Sequence, residues 1–141
     1  MSLALNKDEL AEYLREVFPQ IREDFAVEAV SMDGVTMRLM TAEQHLRPGG
    51  TVSGPSMFAL ADVTVYALVL SRVGREALAV TTSCSMDFMR KPEAGVDLIA
   101  RGRLLKLGKL LAVGDVLIFS QGSDAPVARA TMTYAIPPKK A

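Results

Sequence analysis

The stretch Pro55 to Val73, PSMFALADVTVYALVLSRV, decides the fold. From Ser56 to Val73 its only polar residues are Ser56, Asp62, Thr64, Ser71 and Arg72. Ser53 or Gly54 ahead of Pro55 marks a helix start, because proline at the first helical position gives up an amide that has no partner there anyway. Gly74 supplies the stop. A helix apolar nearly all round is a buried one, so other elements must wrap around it. The length also suits a membrane span of about 20 residues, but Asp62 near its middle costs roughly 2.5–3.5 kcal/mol on insertion scales. A core helix over Ser56–Val73 is therefore expected, with no membrane insertion.

The flanks supply the wrapping. Upstream, Leu10, Tyr13, Leu14 and Val17 repeat at helical spacing within Asn6–Phe18, and Asn6 or Asp8 can cap that helix. Phe25–Ser31 and Val35–Met40 read as strands joined around Met32-Asp33-Gly34, an Asp-Gly hairpin signal. Glu43–Ser53 is a polar, glycine-bearing loop. Downstream, Val80–Met89 alternates and places Val80, Thr82, Cys84, Met86 and Phe88 on one face. Val96–Leu107 and Leu110–Ser120 form a hairpin about Gly108-Lys109, and Val127–Ile136 is a last strand ended by Pro137-Pro138. Short connections demand antiparallel pairing, so the fold class is α+β, a sheet curled around one central helix. The chain reads as a single domain over 1–141, with an N-terminal helical segment at 1–24 and a tail at 137–141.

Composition narrows the partners. Sixteen basic residues balance sixteen acidic ones over 141 residues, which argues against attachment to nucleic acid through bulk charge. Cys84 is the single cysteine, so no intrachain disulfide is possible. With no basic, apolar leader at the start, a cytoplasmic protein is expected. The apolar share is 50%, high for a domain this small, which raises the expectation of surface hidden between subunits.

Asp62 is the strongest anomaly, a carboxylate among Phe58, Val65 and Val69 on the helix wheel. Buried alone it would cost several kcal/mol, so it either caps an amide, pairs with Arg38 or Arg72, or performs chemistry as a general base or nucleophile. The loop Gly49-Gly50-Thr51-Val52-Ser53-Gly54 delivers backbone N–H groups at the positive end of the helix, a site suited to a developing oxyanion. It lacks the Gly-Lys-Ser/Thr of a nucleotide-binding P-loop. His45 is the only histidine, and with one cysteine besides it gives no metal-ligand spacing. Cys84 reads as a small packed residue and the eight methionines as core filler or tunnel lining. Arg90 and Lys91, with Arg101, Arg103, Lys106 and Lys109, form either a solvated face or a phosphate-recognition patch.

The run from His45 through Gly54-Pro55 to Leu60-Ala61-Asp62 resembles the hotdog-fold acyl-CoA thioesterases of the PaaI-like group, whose loop reads H-x-N-x-x-G-x-x-H-G-G before an acidic residue in L-A-D. His45, Gly50, Gly54 and Asp62 fall at the matching offsets. Asp87-Phe88-Met89-Arg90 with Ala94-Gly95, Gly108-Lys109 and Ala128-Arg129-Ala130-Thr131 extend the likeness over about residues 25 to 136. The resemblance implies a hotdog fold and thioester hydrolysis without a cofactor beyond the CoA of the substrate. By the same resemblance Asp62 is general base or nucleophile, the Gly54 N–H polarises the carbonyl, and Thr81, or Thr82 one residue on, orients the nucleophile across a subunit interface. The candidate substrate-binding positions are His45, Arg47, Ser53 and Thr82 with Arg90 and Lys91 of the basic cluster, and the resemblance implies a homodimer or homotetramer with sites at the dimer interface. Three positions depart from the family pattern: Arg47 replaces its Asn, Ser53 its His, and Pro55 its second Gly. Two further readings follow. A non-catalytic acyl-CoA binding protein is favoured by Arg47 and Ser53, and a hotdog dehydratase is disfavoured because Ser53 stands where a catalytic His would be needed.

Overall fold

Helix formation at the central stretch starts from Ser53, whose hydroxyl accepts the Ser56 N–H and closes the first turn. In the computed structural model, which describes residues 2–21 and 23–138, α1 spans Lys7–Val17 and α2 spans Gly54–Val73. Asn6 opens α1 with a capping box, its side chain accepting the Glu9 N–H while the Glu9 carboxylate accepts the Asn6 N–H. For α2, Ser53 is the cap, Gly54 the first helical residue and Pro55 the second, two residues earlier than the start expected at Ser56. Gly74 ends it at φ +92°.

Six strands complete the chain: β1 (Phe25–Ser31), β2 (Gly34–Leu39), β3 (Val80–Phe88), β4 (Leu98–Leu107), β5 (Leu111–Ser120) and β6 (Pro126–Ala135). They pair antiparallel throughout in the order β1-β2-β4-β5-β6-β3. The sheet wraps α2 as expected, and the fold is the α+β hotdog arrangement. The short helical turns at Pro19–Ile21 and Glu43–His45 carry no apolar period, so the sequence gives no sign of them. Of the expected tail at 137–141, residues 139–141 lie outside the described residues, as do Met1 and Arg22 of the N-terminal segment.

Leu60, Ala61, Val65, Ala67, Val69 and Leu70 on α2 are fully buried, and the helix is enclosed on several sides at once. Although α2 is long and apolar enough to cross a membrane, 67% of its most apolar window is buried inside the fold. Thr64 and Ser71 are buried without cost because their hydroxyls donate back to the Leu60 and Leu68 carbonyls. Sheet and helix approach closely at Gly102, where a Cβ would sit 2.8 Å from Thr64 Cγ2 and 2.9 Å from Leu68 Cδ1. That contact leaves no room for a side chain.

Strand β3 is an edge strand, and it is irregular. The β3–β6 ladder shifts register between Thr81 and Ser83, so Thr82 is the extra residue of a β-bulge. Thr81, Cys84, Met86 and Phe88 oppose Tyr134, Met132, Ala130 and Ala128, the buried positions of β6. Simple alternation places Thr82 on that inward face; the bulge puts Thr81 there instead. Cys84, read from the sequence as packed, is exposed because no further strand covers this edge.

Candidate active site

Asp62 lies two turns into α2 and is half-buried. Neither structural reading of it applies: Arg38 is taken by Glu28 and Asp97, and the Asp62 carboxylate bonds to two hydroxyls instead. Thr81 donates its hydroxyl to Asp62 Oδ1, and the Tyr134 hydroxyl lies 2.6 Å from the same oxygen. The Thr81 contact is made within one chain. Among the described residues no cation pairs with Asp62. It lines a cavity of about 470 Å³ whose walls include Val17, Phe18, Val63, Tyr66 and Ala79. A carboxylate at a cavity wall, held by two hydroxyl donors on one oxygen and with no cation beside it, is placed to accept a proton or to attack a carbon.

Tyr134 escapes the sequence reading. Its signal is faint: in TMTYAI the inward period runs Met132, Tyr134, Ile136, which puts a hydroxyl on a core face. Burial, then the Asp62 charge and the hydrogen bond to Asp62, push its ionisation far above the usual tyrosine range, with Thr81 opposing. The folded chain therefore keeps a proton that the unfolded chain releases above about pH 10. Stability is unaffected below that pH and falls as pH rises beyond it, by about 1.4 kcal/mol per unit for this one group. Urea unfolding at about pH 9 and about pH 11 will register the fall, and Tyr134→Phe will flatten it.

A second cavity, of about 450 Å³, opens at the start of α2. Arg47, Gly54, Met57, Phe88, Arg90 and Lys91 line it. The glycine loop is shaped by the Arg47–Thr51 turn and the Leu46–Val52 bridge. Ser53 Oγ takes the Ser56 N–H and Pro55 has none, so among the described residues Gly54 carries the unpaired donor of the first turn. Arg90 is fixed by its Nε donating to the Pro126 carbonyl at 2.9 Å.

The remaining predicted positions lie elsewhere. His45 is buried, its Nδ1 accepting the Ala42 N–H and its carbonyl accepting the Ser53 N–H, so it pins the loop and lines neither cavity. Ser53 serves as the helix cap. Thr82 is exposed and donates to the Thr133 carbonyl.

The profile of the thioesterase superfamily matches residues 49–127, more than half of the chain, spanning both cavities' helix and the β3 donor. The chain belongs to the thioesterase superfamily. A protein of Silicibacter sp. TM1040 assigned to the thioesterases is 67% identical, with 98% of this chain and 96% of that one covered and a TM-score of 0.92. The phenylacetic acid degradation protein PaaI of Thermus thermophilus, in a mutant form, is 27% identical over 84% of this chain and 99% of its own, at TM-score 0.72. A thioesterase protein of Streptococcus pneumoniae TIGR4, solved with coenzyme A, shares the fold at TM-score 0.76, with 19% identity over 92% of this chain and 98% of that one. No curated protein matches the chain. Of the residues in this thioesterase-superfamily member's first cavity, Asp62, Val63, Tyr66 and Thr81 fall inside the matched span, whereas Phe18 and Tyr134 fall outside it.

Proposed function

We propose that the chain hydrolyses acyl-CoA thioesters, with Asp62 as general base or nucleophile and the Gly54 N–H polarising the carbonyl. The observation that carries this is the Asp62 carboxylate at a cavity wall, held by two hydroxyls and paired with no cation among the described residues. As a base, Asp62 takes a proton from water, whose oxygen attacks the thioester carbon. The oxyanion that forms is received by an N–H at the positive end of a helix. The C–S bond then breaks and the thiolate takes up the proton, leaving carboxylic acid and free CoA. As a nucleophile, Asp62 forms a mixed anhydride that water opens to the same products.

Gly54 and Asp62 are eight residues apart on one helix, about 12 Å along its axis, and they line separate cavities. One protomer therefore holds two half-sites. A two-fold homodimer formed along the free β3 edge runs the two α2 helices antiparallel and sets Asp62 of one copy toward Gly54 of the other. Exposed Phe58, Val80, Phe88 and Met89 beside that edge support such an interface. Pairing of these dimers gives the tetramer expected by resemblance.

Arg47, Arg90 and Lys91 around the second cavity suit the CoA phosphates, and the S. pneumoniae relative carries coenzyme A. Arg47→Ala or Lys91→Ala is expected to raise KM about three- to tenfold at low salt while kcat holds, the loss shrinking as salt is added. The deciding experiment is a panel of short, medium, long and aromatic acyl-CoAs with free-thiol detection. Saturable binding with a thermal shift but no thiol release would favour the binding-only reading, for which Arg47 and Ser53 speak.

A further inference from the structure

We propose that Tyr134 is a positioning residue that fixes which oxygen of the Asp62 carboxylate reacts; this rests on Asp62 being the reacting group. Tyr134 Oη lies 2.6 Å from Asp62 Oδ1 and 3.0 Å from the Asp62 carbonyl oxygen. A phenol has one hydrogen, and the shorter, charge-assisted contact takes it. Thr81 donates to the same Oδ1. Among the described residues no hydrogen bond reaches Oδ2. One oxygen is thus saturated with donors, while its twin keeps its lone pairs for a proton or a thioester carbon.

The donor is also rigid. Tyr134 is 3% exposed and sits on β6, paired on both sides by β5 and β3. Its ring stacks on Tyr66 at 6.2 Å and 28°, and Phe18 meets Tyr66 edge-on. Tyr66 is anchored in turn by its hydroxyl donating to the Ala77 carbonyl. A column of three rings therefore ties the segment after α1, the core helix and the sheet to the angle of one carboxylate. A donor held this way needs no reorganisation when charge moves on Asp62. Burial and the Asp62 charge raise its ionisation well above the usual tyrosine range, so the phenol keeps its proton and remains a donor at neutral pH.

The test uses Tyr134→Phe, which keeps the stacked ring and removes the hydroxyl alone. With an acyl-CoA that the wild type hydrolyses, kcat is expected to fall about tenfold or more while KM stays within about twofold. Thr81→Val should behave alike and Thr81→Ser should not. The double variant should lose less than the product of the two, since both hydroxyls hold one oxygen. The second readout is infrared: the carboxylate stretch of Asp62, identified by its loss in Asp62→Asn, should move in Tyr134→Phe and stay put in Tyr13→Phe, a buried tyrosine of α1 outside the ring column. An unmoved band overturns the proposal whatever the activity. A moved band with unchanged kcat overturns the positioning role. A moved band in a protein that turns over no acyl-CoA upholds the grip on Asp62 and removes the hydrolase reading instead.

Discussion

Asp62→Asn is expected to lower kcat for acyl-CoA hydrolysis by about 10²–10⁴-fold while the protein stays folded. The amide has nearly the shape of the carboxylate and can still accept hydrogen bonds from Thr81 and Tyr134 at its oxygen. What it lacks is a basic lone pair to take a proton from water or attack a carbonyl. Nothing in the core depends on the charge, because among the described residues no cation is left unpaired by its removal. KM should change little, and the circular dichroism melt should stay close to that of the wild type. Turnover within a few-fold of wild type, in a folded variant, would falsify the assignment of Asp62.

Gly34→Ala is expected to have the largest effect on stability. Gly34 starts β2 immediately after the Asp33 turn, at φ +155°, and packs face to face with the neighbouring strand. A Cβ there would lie 2.1 Å from the Gly102 carbonyl oxygen, and that atom is backbone. A side chain could swing aside, but a ladder carbonyl moves only if β2 and β4 part. Gly102 cannot retreat either, since it lies against Thr64 and Leu68 of α2. The substitution should cost about 4 kcal/mol or more, in the exceptional range for a single change. Urea unfolding should show the midpoint falling steeply, or the variant should fail to accumulate in soluble form. A loss under about 1 kcal/mol would mean that the β2–β4 junction yields readily to an added methyl group.

The architecture is largely readable from the residues. The apolar run at Pro55–Val73 demands enclosure, and six alternating or apolar segments with short joins leave an antiparallel wrap as the only way to supply it. Asp62 announces itself for the same reason, as a charge where the pattern allows none. Its partners do not. Tyr134 lies 72 positions away in sequence, and no local period connects a strand hydroxyl to a helix carboxylate. Thr81 and Thr82 are indistinguishable because a bulge leaves no mark in a run such as VTTSC. The exposure of Cys84 depends on strand order, which is set by sheet topology and not by β3 itself. The division of Gly54 and Asp62 between two cavities is legible in their spacing, since eight residues on one helix rise about 12 Å.

The bulge at Thr82 bears on how such a site can change. A β-strand is a two-beat pattern, and an odd residue inserted into it reverses the beat on one side only. Residues 83 to 88 keep the facing their edge needs, while the residues before Thr82 are turned over as a block. The donor to Asp62 can therefore be exchanged by a single-residue insertion or deletion, without rewriting the strand edge beyond it. In a scaffold shared by many chemistries, that hinge of parity lets a catalytic neighbour vary independently of the surface beside it.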